Sequence, residues 1–277
     1  MTSTSLTGIY IYPIKSLAGF QADRWNVTET GLEYDRKWML IDHNQHFLSQ
    51  RKLPKMALIT TRISPPYLVI TAPQMEPLLL LLQPAAGERI NSTIWQDQCA
   101  AQHISYAADL WFSDFLQHPC QLVYKPDDAV RQVDVNYAKP HDQTAFADGF
   151  PFLIISEGSL SALNQAMQLD LPMIRFRPNL VLAGCASYAE DYWREISIGE
   201  IGFRLPKPCS RCSIPNIDPS NASLGKEPLK TLNLHRKWQN QVYFGQNALH
   251  NQSGVLQLGD PVTIHLTGKP QPPLAQS

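Results

Sequence analysis

Prolines and glycines cut this chain into short apolar runs, and that punctuation limits what it can fold into. There are 22 prolines against 14 glycines in 277 residues. Proline fixes φ and removes a backbone donor, so few windows are left for long helices. Between the breaks, the runs alternate or are rich in β-branched and aromatic residues, which is the pattern of strands. Residues 6–14 (LTGIYIYPI), 25–28, 36–42, 58–64, 67–71, 78–82 and 90–95 follow one another at close spacing. That spacing predicts a β-barrel or sandwich. Helical periodicity is confined to three windows. Residues 107–117 would place Leu110, Trp111, Phe115 and Leu116 on one side; residues 160–168 would be capped by Ser156 or Ser159; the third window is 228–239. Hairpins are expected at Gly199 and at Gly259-Asp260. The fold class is therefore mainly β with a few helices (α+β). Residues 127–143 are polar and irregular, so the boundary is expected near Pro126. This gives an N-terminal β domain over 1–126, a second domain over 127–268 and a disordered Pro-rich tail over 269–277.

Composition narrows the function. With 44% hydrophobic and 17% charged residues, the chain has an ordinary globular balance. A formal net charge of -1 offers no general attraction to nucleic acid or an anionic membrane, so any anion binding must be local. Five cysteines, an odd number spread over a long chain, argue against a disulfide framework and for a reducing compartment. Residues 1–6 carry no leader pattern, and the leucine run at 78–82 is far too short to span a bilayer. The expectation is a cytoplasmic monomer.

Chemistry concentrates at Lys207-Pro208-Cys209-Ser210-Arg211-Cys212, two thiols in one short stretch beside two cations. Nearby cations favour the thiolate, which is both the nucleophile and the metal ligand. Three uses are open: half of a zinc ribbon lacking its second pair, a redox pair, or a single thiolate for a soft metal centre. Against these stand two buried thiols acting as small hydrophobes. A second constellation is cationic and sits at strand ends: Lys15-Ser16, Arg36, and Arg177 with Asn179 around Pro178. Arg offers a bidentate fork for phosphate and Lys a point charge; singly, each reads equally as a solvated surface charge. A third feature is Asp148, a carboxylate in an apolar stretch, either a turn cap or a group close to a reaction centre.

The ordered set Tyr12-Pro13-Ile14-Lys15-Ser16, Tyr34-Asp35-Arg36-Lys37-Trp38, Phe47-Leu48-Ser49-Gln50-Arg51, FPFLIISEGSLS from Phe150, Phe176-Arg177-Pro178-Asn179, Pro208 to Cys212 and Gly259-Asp260-Pro261-Val262 resembles the MOSC-domain proteins. More narrowly, it resembles the mitochondrial amidoxime-reducing component family and its bacterial relatives. The resemblance implies a MOSC β-barrel core preceded by a β-barrel-like domain, with molybdenum cofactor (Mo-molybdopterin) between them. It implies that Cys212 is the molybdenum ligand and, more weakly, that Asp148 is an acid near the metal. Lys15, Ser16, Arg36, Arg177, Asn179, Ser210 and Arg211 would hold the cofactor, while Cys209 and Cys185 match thiols that are not ligands. The implied reaction is two-electron reduction of the N–O bond of N-hydroxylated compounds. Electrons would come from a separate protein of ferredoxin, flavoprotein reductase or cytochrome b5 type. The alternative is a sulfur-carrier or cofactor-handling protein acting through Cys212. Ser213-Ile214-Pro215-Asn216 departs from relatives that often carry an apolar residue and a Thr-Thr pair there.

Overall fold

The first strand pairs with partners about 175 residues away in sequence. In the computed structural model, which describes residues 3–272, Ser5–Ile11 runs antiparallel to Leu180–Ala183. A register shift between Leu6 and Gly8 breaks strict alternation, so Leu6, Ile9 and Ile11 all reach the core. A Cβ at position 8 would lie 2.8 Å from the Tyr10 ring, so the close approach needs glycine.

This strand belongs to a nine-stranded sheet. Its path runs Val262–Thr267, Trp193–Ile198, Ile201–Ser210, Gln241–His250, Phe152–Ser156, Leu180–Ala183, Ser5–Ile11, Phe20–Ala22, with Lys237–Trp238 pairing on the side. Every pair is antiparallel except Phe152–Ser156 with Leu180–Ala183. A parallel pair needs a crossover, and the helix Glu157–Met167 supplies it. Ser156 caps that helix, its hydroxyl accepting from the Ser159 amide. Arg24–Thr28, flanked by Gly31–Leu32 and Gly254–Gln257, closes the same core, in which Leu6, Phe152, Ile196, Phe203 and Leu256 meet.

A second core holds Ile14, Trp38, Leu48, Ile70, Phe112 and Leu122. It lies among the sheet Trp38–Ile41, Gln121–Tyr124, Asp97–His103, Arg89–Ile94, the three-stranded sheet Thr60–Ser64, Tyr67–Thr71, Leu78–Leu81, and the helix Tyr106–Leu116. The amino-terminal segment is shared between the cores: Leu6, Ile9, Ile11, Val27 and Leu32 join the first, while Ile14 and Leu17 between them join the second.

Several local expectations are corrected. The buried positions of the helix Tyr106–Leu116 are Ala108, Asp109, Phe112 and Leu116; Leu110 is 73% exposed. The last helix is only Leu229–His235, because Lys237–Trp238 pairs back onto Gln241–His250. Gly259-Asp260 joins two different sheets instead of turning a hairpin: Gly254–Gln257 pairs with Arg24–Thr28, and Val262–Thr267 with Trp193–Ile198. The corner clasps the first strand instead, with Leu6 N donating to Asp260 O and Gly259 N to Leu6 O. Of the Pro-rich tail, residues 269–272 are docked, since Gln271 N donates to Asp191 O and Gln246 Nε2 to Gln271 O. Residues 273–277 lie outside the described residues.

Candidate functional site

The two cysteines do not share a turn. The strand Ile201–Ser210 runs through Pro206, Pro208 and Cys209 and pairs with Gln241–His250. Proline cannot donate to a ladder and is tolerated at irregular pairing; the register shifts between Arg204 and Lys207 and again between Pro208 and Ser210. Only Arg211 and Cys212 leave the strand, at the edge of a cleft lined from both halves of the chain.

That cleft collects the site residues that the sequence singles out. Lys15, Ser16, Arg36, Asp148, Arg177, Asn179, Ser210, Arg211 and Cys212 all line it. They arrive from the loop after the first strand, the approach to Trp38–Ile41, the loop before Phe152–Ser156, the lead into Leu180–Ala183 and the end of Ile201–Ser210. Arg51 lines it too. Its position in Phe47-Leu48-Ser49-Gln50-Arg51 was the one signal that could have found it. Five cations thus face one lining carboxylate in a chain whose net charge is -1.

Backbone strain gathers at the same place. Ser16 (φ 67), Arg36 (φ 50) and Arg177 (φ 56) occupy the left-handed region, which residues with side chains adopt at a cost of roughly 1–3 kcal/mol each. Fixed backbone bonds hold two of them: Arg36 N donates to Tyr12 O at 2.8 Å, and Arg177 N to Ile174 O at 3.1 Å. Both guanidiniums stand over the Tyr12 ring, with the Arg36 and Arg177 centres 4.3 and 4.2 Å from its centroid. Arg177 Nη1 also donates to Leu17 O at 2.6 Å. Burial lowers the Arg177 pKa to about 10, which still leaves it charged at neutral pH. Arg36 is anchored on Asp35, whose carboxyl is pushed up by burial against the pull of Arg36.

On the facing wall, Arg211 is turned away from the cysteine that follows it. Its Nη1 lies 3.1 Å from Cys209 Sγ and its Nη2 donates to Phe176 O at 2.6 Å, while its buried Nε has no hydrogen-bond partner among the described residues. Burial pushes the Cys209 thiol up in spite of Arg211. Lys207 does not serve the thiols; its ammonium stands 4.5 Å over the Tyr137 ring. Cys212 is half-buried and lines the cleft, with no hydrogen bond among the described residues. Pro215 O, in the loop behind it, accepts from Arg175 Nε at 2.8 Å. Asn179 is engaged with backbone, accepting from Leu153 N at 3.3 Å and donating to Tyr10 O at 3.3 Å, so its amide orders the strands beneath the cations.

Asp148 closes the third side. Lys15 Nζ donates to its Oδ1 at 2.6 Å and to Phe146 O at 2.8 Å. Arg131 holds the loop, with bonds to Ala145 O, Ala147 O and Asp148 O. Burial alone would raise the Asp148 pKa, but the Lys15 charge overrides it and keeps the carboxylate ionised, well below its usual range. Lys15 is itself pulled down by burial. Among the described residues no three His, Cys, Asp or Glu side chains gather as a metal-holding set, so a zinc ribbon has no ligands here.

The sequence profile of the MOSC N-terminal beta barrel domain matches residues 3–119, and that of the MOSC domain matches residues 141–263. The chain belongs to the MOSC-domain family. It is similar to mitochondrial amidoxime-reducing component 1 of Mus musculus, at 32% identity over 92% of this chain and 81% of that protein. The human protein of that name is 30% identical over the same shares. The molybdenum cofactor sulfurase of Solanum lycopersicum is 32% identical over 87% of this chain, a match covering 32% of that much longer protein. The MOSC fold thus brings the cysteine strand to the cleft, and its N-terminal partner domain brings Arg36 and Arg51.

Proposed function

We propose that this MOSC protein is a molybdenum-cofactor-dependent oxidoreductase that reduces the N–O bond of N-hydroxylated compounds. Its electrons come from a separate electron-transfer protein of ferredoxin, flavoprotein reductase or cytochrome b5 type. The carrying observation is the meeting of one accessible thiol, Cys212, with five cations around a single carboxylate, where the buried Arg211 Nε has no hydrogen-bond partner among the described residues. A buried guanidinium N–H left unpaired costs free energy unless a ligand accepts from it. An anionic group carrying a soft metal fits that donor set. Arg36, Arg177 and Arg211, with Ser16 and Ser210, would hold the pterin and its phosphate, and Cys212 would ligate the metal. When bound, the molybdenum centre supplies two-electron exchange with the N–O bond.

The chain's own groups then orient substrate and handle protons. Reduction of an N–OH group to N–H and water consumes two electrons and two protons. Lys15 Nζ holds a proton 2.6 Å from Asp148, whose side chain is 60% exposed and faces the opening. This pair offers a path for protons between solvent and the cleft. The five cysteines are free thiols, in keeping with a reducing compartment such as the cytoplasm.

A second reading, a sulfur carrier with a persulfide on Cys212, draws on the similarity to the molybdenum cofactor sulfurase and on the accessible Cys212 thiol. The deciding assay takes protein from a cofactor-competent host, supplies reduced viologen as electron donor and follows conversion of benzamidoxime to benzamidine. Turnover is expected. Molybdenum-loaded protein without turnover would overturn the reductase reading, and cyanide-labile sulfur on Cys212 without molybdenum would favour the carrier.

A further inference from the structure

A groove adjoins the cleft and shares Asp148, Gly149 and Phe150 with it. Trp95 and Tyr137 also line it. Trp95 sits at the tip between the strands Arg89–Ile94 and Asp97–His103, with φ 58. A two-residue turn of this kind favours Asn or Gly, and a bulky side chain in the left-handed region is unusual. Trp95 is 53% exposed. It is nevertheless fixed: its ring centroid lies 5.1 Å edge-on from Phe47, and the Arg51 guanidinium stands 4.4 Å over it. Exposed, rigid and strained aromatic placement is unfavourable for folding alone.

Asp148 connects this indole to the cleft. Its Oδ1 accepts from both Lys15 Nζ at 2.6 Å and Trp95 Nε1 at 3.3 Å. Its Oδ2 has no hydrogen-bond partner among the described residues, although the side chain is 60% exposed. An ionised carboxylate with one oxygen saturated and the other open accepts an N–H from a ligand. Tyr137 and Phe150, packed edge to face with centroids 6.2 Å apart, add aromatic surface beside it.

We propose that this groove is the substrate subsite and that Trp95 is its specificity-determining residue, selecting N-hydroxylated compounds that carry both an N–H donor and a flat aryl group. The donor engages Asp148 Oδ2 while the aryl ring lies on the exposed indole. This rests on the reductase reading for the reaction, but the groove's occupancy is measurable without turnover.

The test is titration of the ¹⁵N-labelled holoprotein with benzamidoxime, read at the Trp95 indole N–H resonance, which is assigned by its absence in Trp95→Phe. In parallel, wild type and Trp95→Leu are assayed on benzamidoxime and on hydroxylamine, which has no aryl group. The expected result is a saturable shift of that resonance. For benzamidoxime, kcat/KM should fall about threefold to tenfold further than for hydroxylamine, mainly through KM, in line with the loss of one ring contact. A saturable shift without turnover would support the subsite while overturning the reductase reading. A resonance that stays still while benzamidoxime is being reduced would overturn the subsite and leave the reductase reading in place. Equal losses on both substrates would make Trp95 a structural residue and overturn its role in specificity.

Discussion

Lys15 Nζ and Asp148 Oδ1 lie 2.6 Å apart although 133 residues separate them in sequence. The ammonium is buried, the carboxylate opens to the cleft, and the contact ties the loop after the first strand to the loop leading into Phe152–Ser156. The pair sets the charge of the site, because it keeps the cleft's one lining carboxylate ionised.

Replacing Lys15 by Met removes the charge that holds Asp148 down. The Asp148 pKa should then rise toward the ordinary carboxylate value, with Arg51 and the Trp95 hydrogen bond still opposing desolvation. Titration of the ¹³C carboxyl resonance measures this directly. The sign for stability follows. With its folded pKa depressed, Asp148 contributes stability that is present above the unfolded value of about 3.9 and lost as pH falls through the lower folded value. Denaturation midpoints of wild type and Lys15→Met should therefore converge in acid. Midpoints that stay parallel down to low pH would contradict the pairing.

Tyr12→Phe should stabilise the protein or leave it unchanged. The ring is what Arg36 and Arg177 stand over, and it survives the substitution. The hydroxyl is buried without a hydrogen-bond partner among the described residues, a defect that costs about 1–3 kcal/mol. Urea midpoints decide it. A loss greater than about 1 kcal/mol would show that the hydroxyl is bonded in solution.

Arg177→Ala should lose cofactor while keeping the fold's strand order. Removing one charge-assisted partner costs about 1.5–3 kcal/mol, or roughly tenfold to a hundredfold in affinity. Pterin content after gel filtration is the readout, with Arg177→Lys retaining more than Arg177→Ala. Unchanged pterin content in Arg177→Ala would remove this residue from the cofactor set.

Asp191 gives the scaffold a distinct pH dependence. Burial pushes its carboxyl up to about 6, even with Arg236 Nη2 at 2.7 Å and Gln246 Nε2 at 2.9 Å. A folded pKa above the unfolded one contributes stability present below about 3.9 and lost as pH rises through about 6. Over that window the wild type should lose on the order of 2–3 kcal/mol that Asp191→Asn does not lose. Midpoints of both proteins between pH 4 and 7 test this, and identical slopes would refute it.

Local signals carried much of the architecture and little of the site's assembly. Ser156 and the apolar run after it mark a cap and a helix wherever they occur, because capping involves only neighbours. Ser5–Ile11 was readable as a strand, but its partner Leu180–Ala183 is set by which apolar faces must meet, and no local pattern encodes that. The stretch holding both cysteines did not read as a strand, yet one runs through Pro206, Pro208 and Cys209 because shifts in register accommodate the prolines. Lys15, Arg36 and Arg177 read singly as surface charges, and only the ordered motifs joined them. Arg51 and Trp95 went unassigned because their significance comes from stacking on each other, across two loops. Arg211 joined the cofactor set through the motifs, but no local pattern told that its guanidinium reaches Cys209 and bonds Phe176 O, leaving Cys212 without it.

The asymmetry of the two cysteines is the account's central claim, and molybdenum content tests it most directly. Wild type, Cys209→Ala and Cys212→Ala are purified from a cofactor-competent host and assayed for molybdenum and pterin per chain. The account predicts molybdenum and pterin in wild type and in Cys209→Ala, and loss of molybdenum in Cys212→Ala. Molybdenum retained in Cys212→Ala, or lost on replacing Cys209 alone in a folded protein, would contradict it.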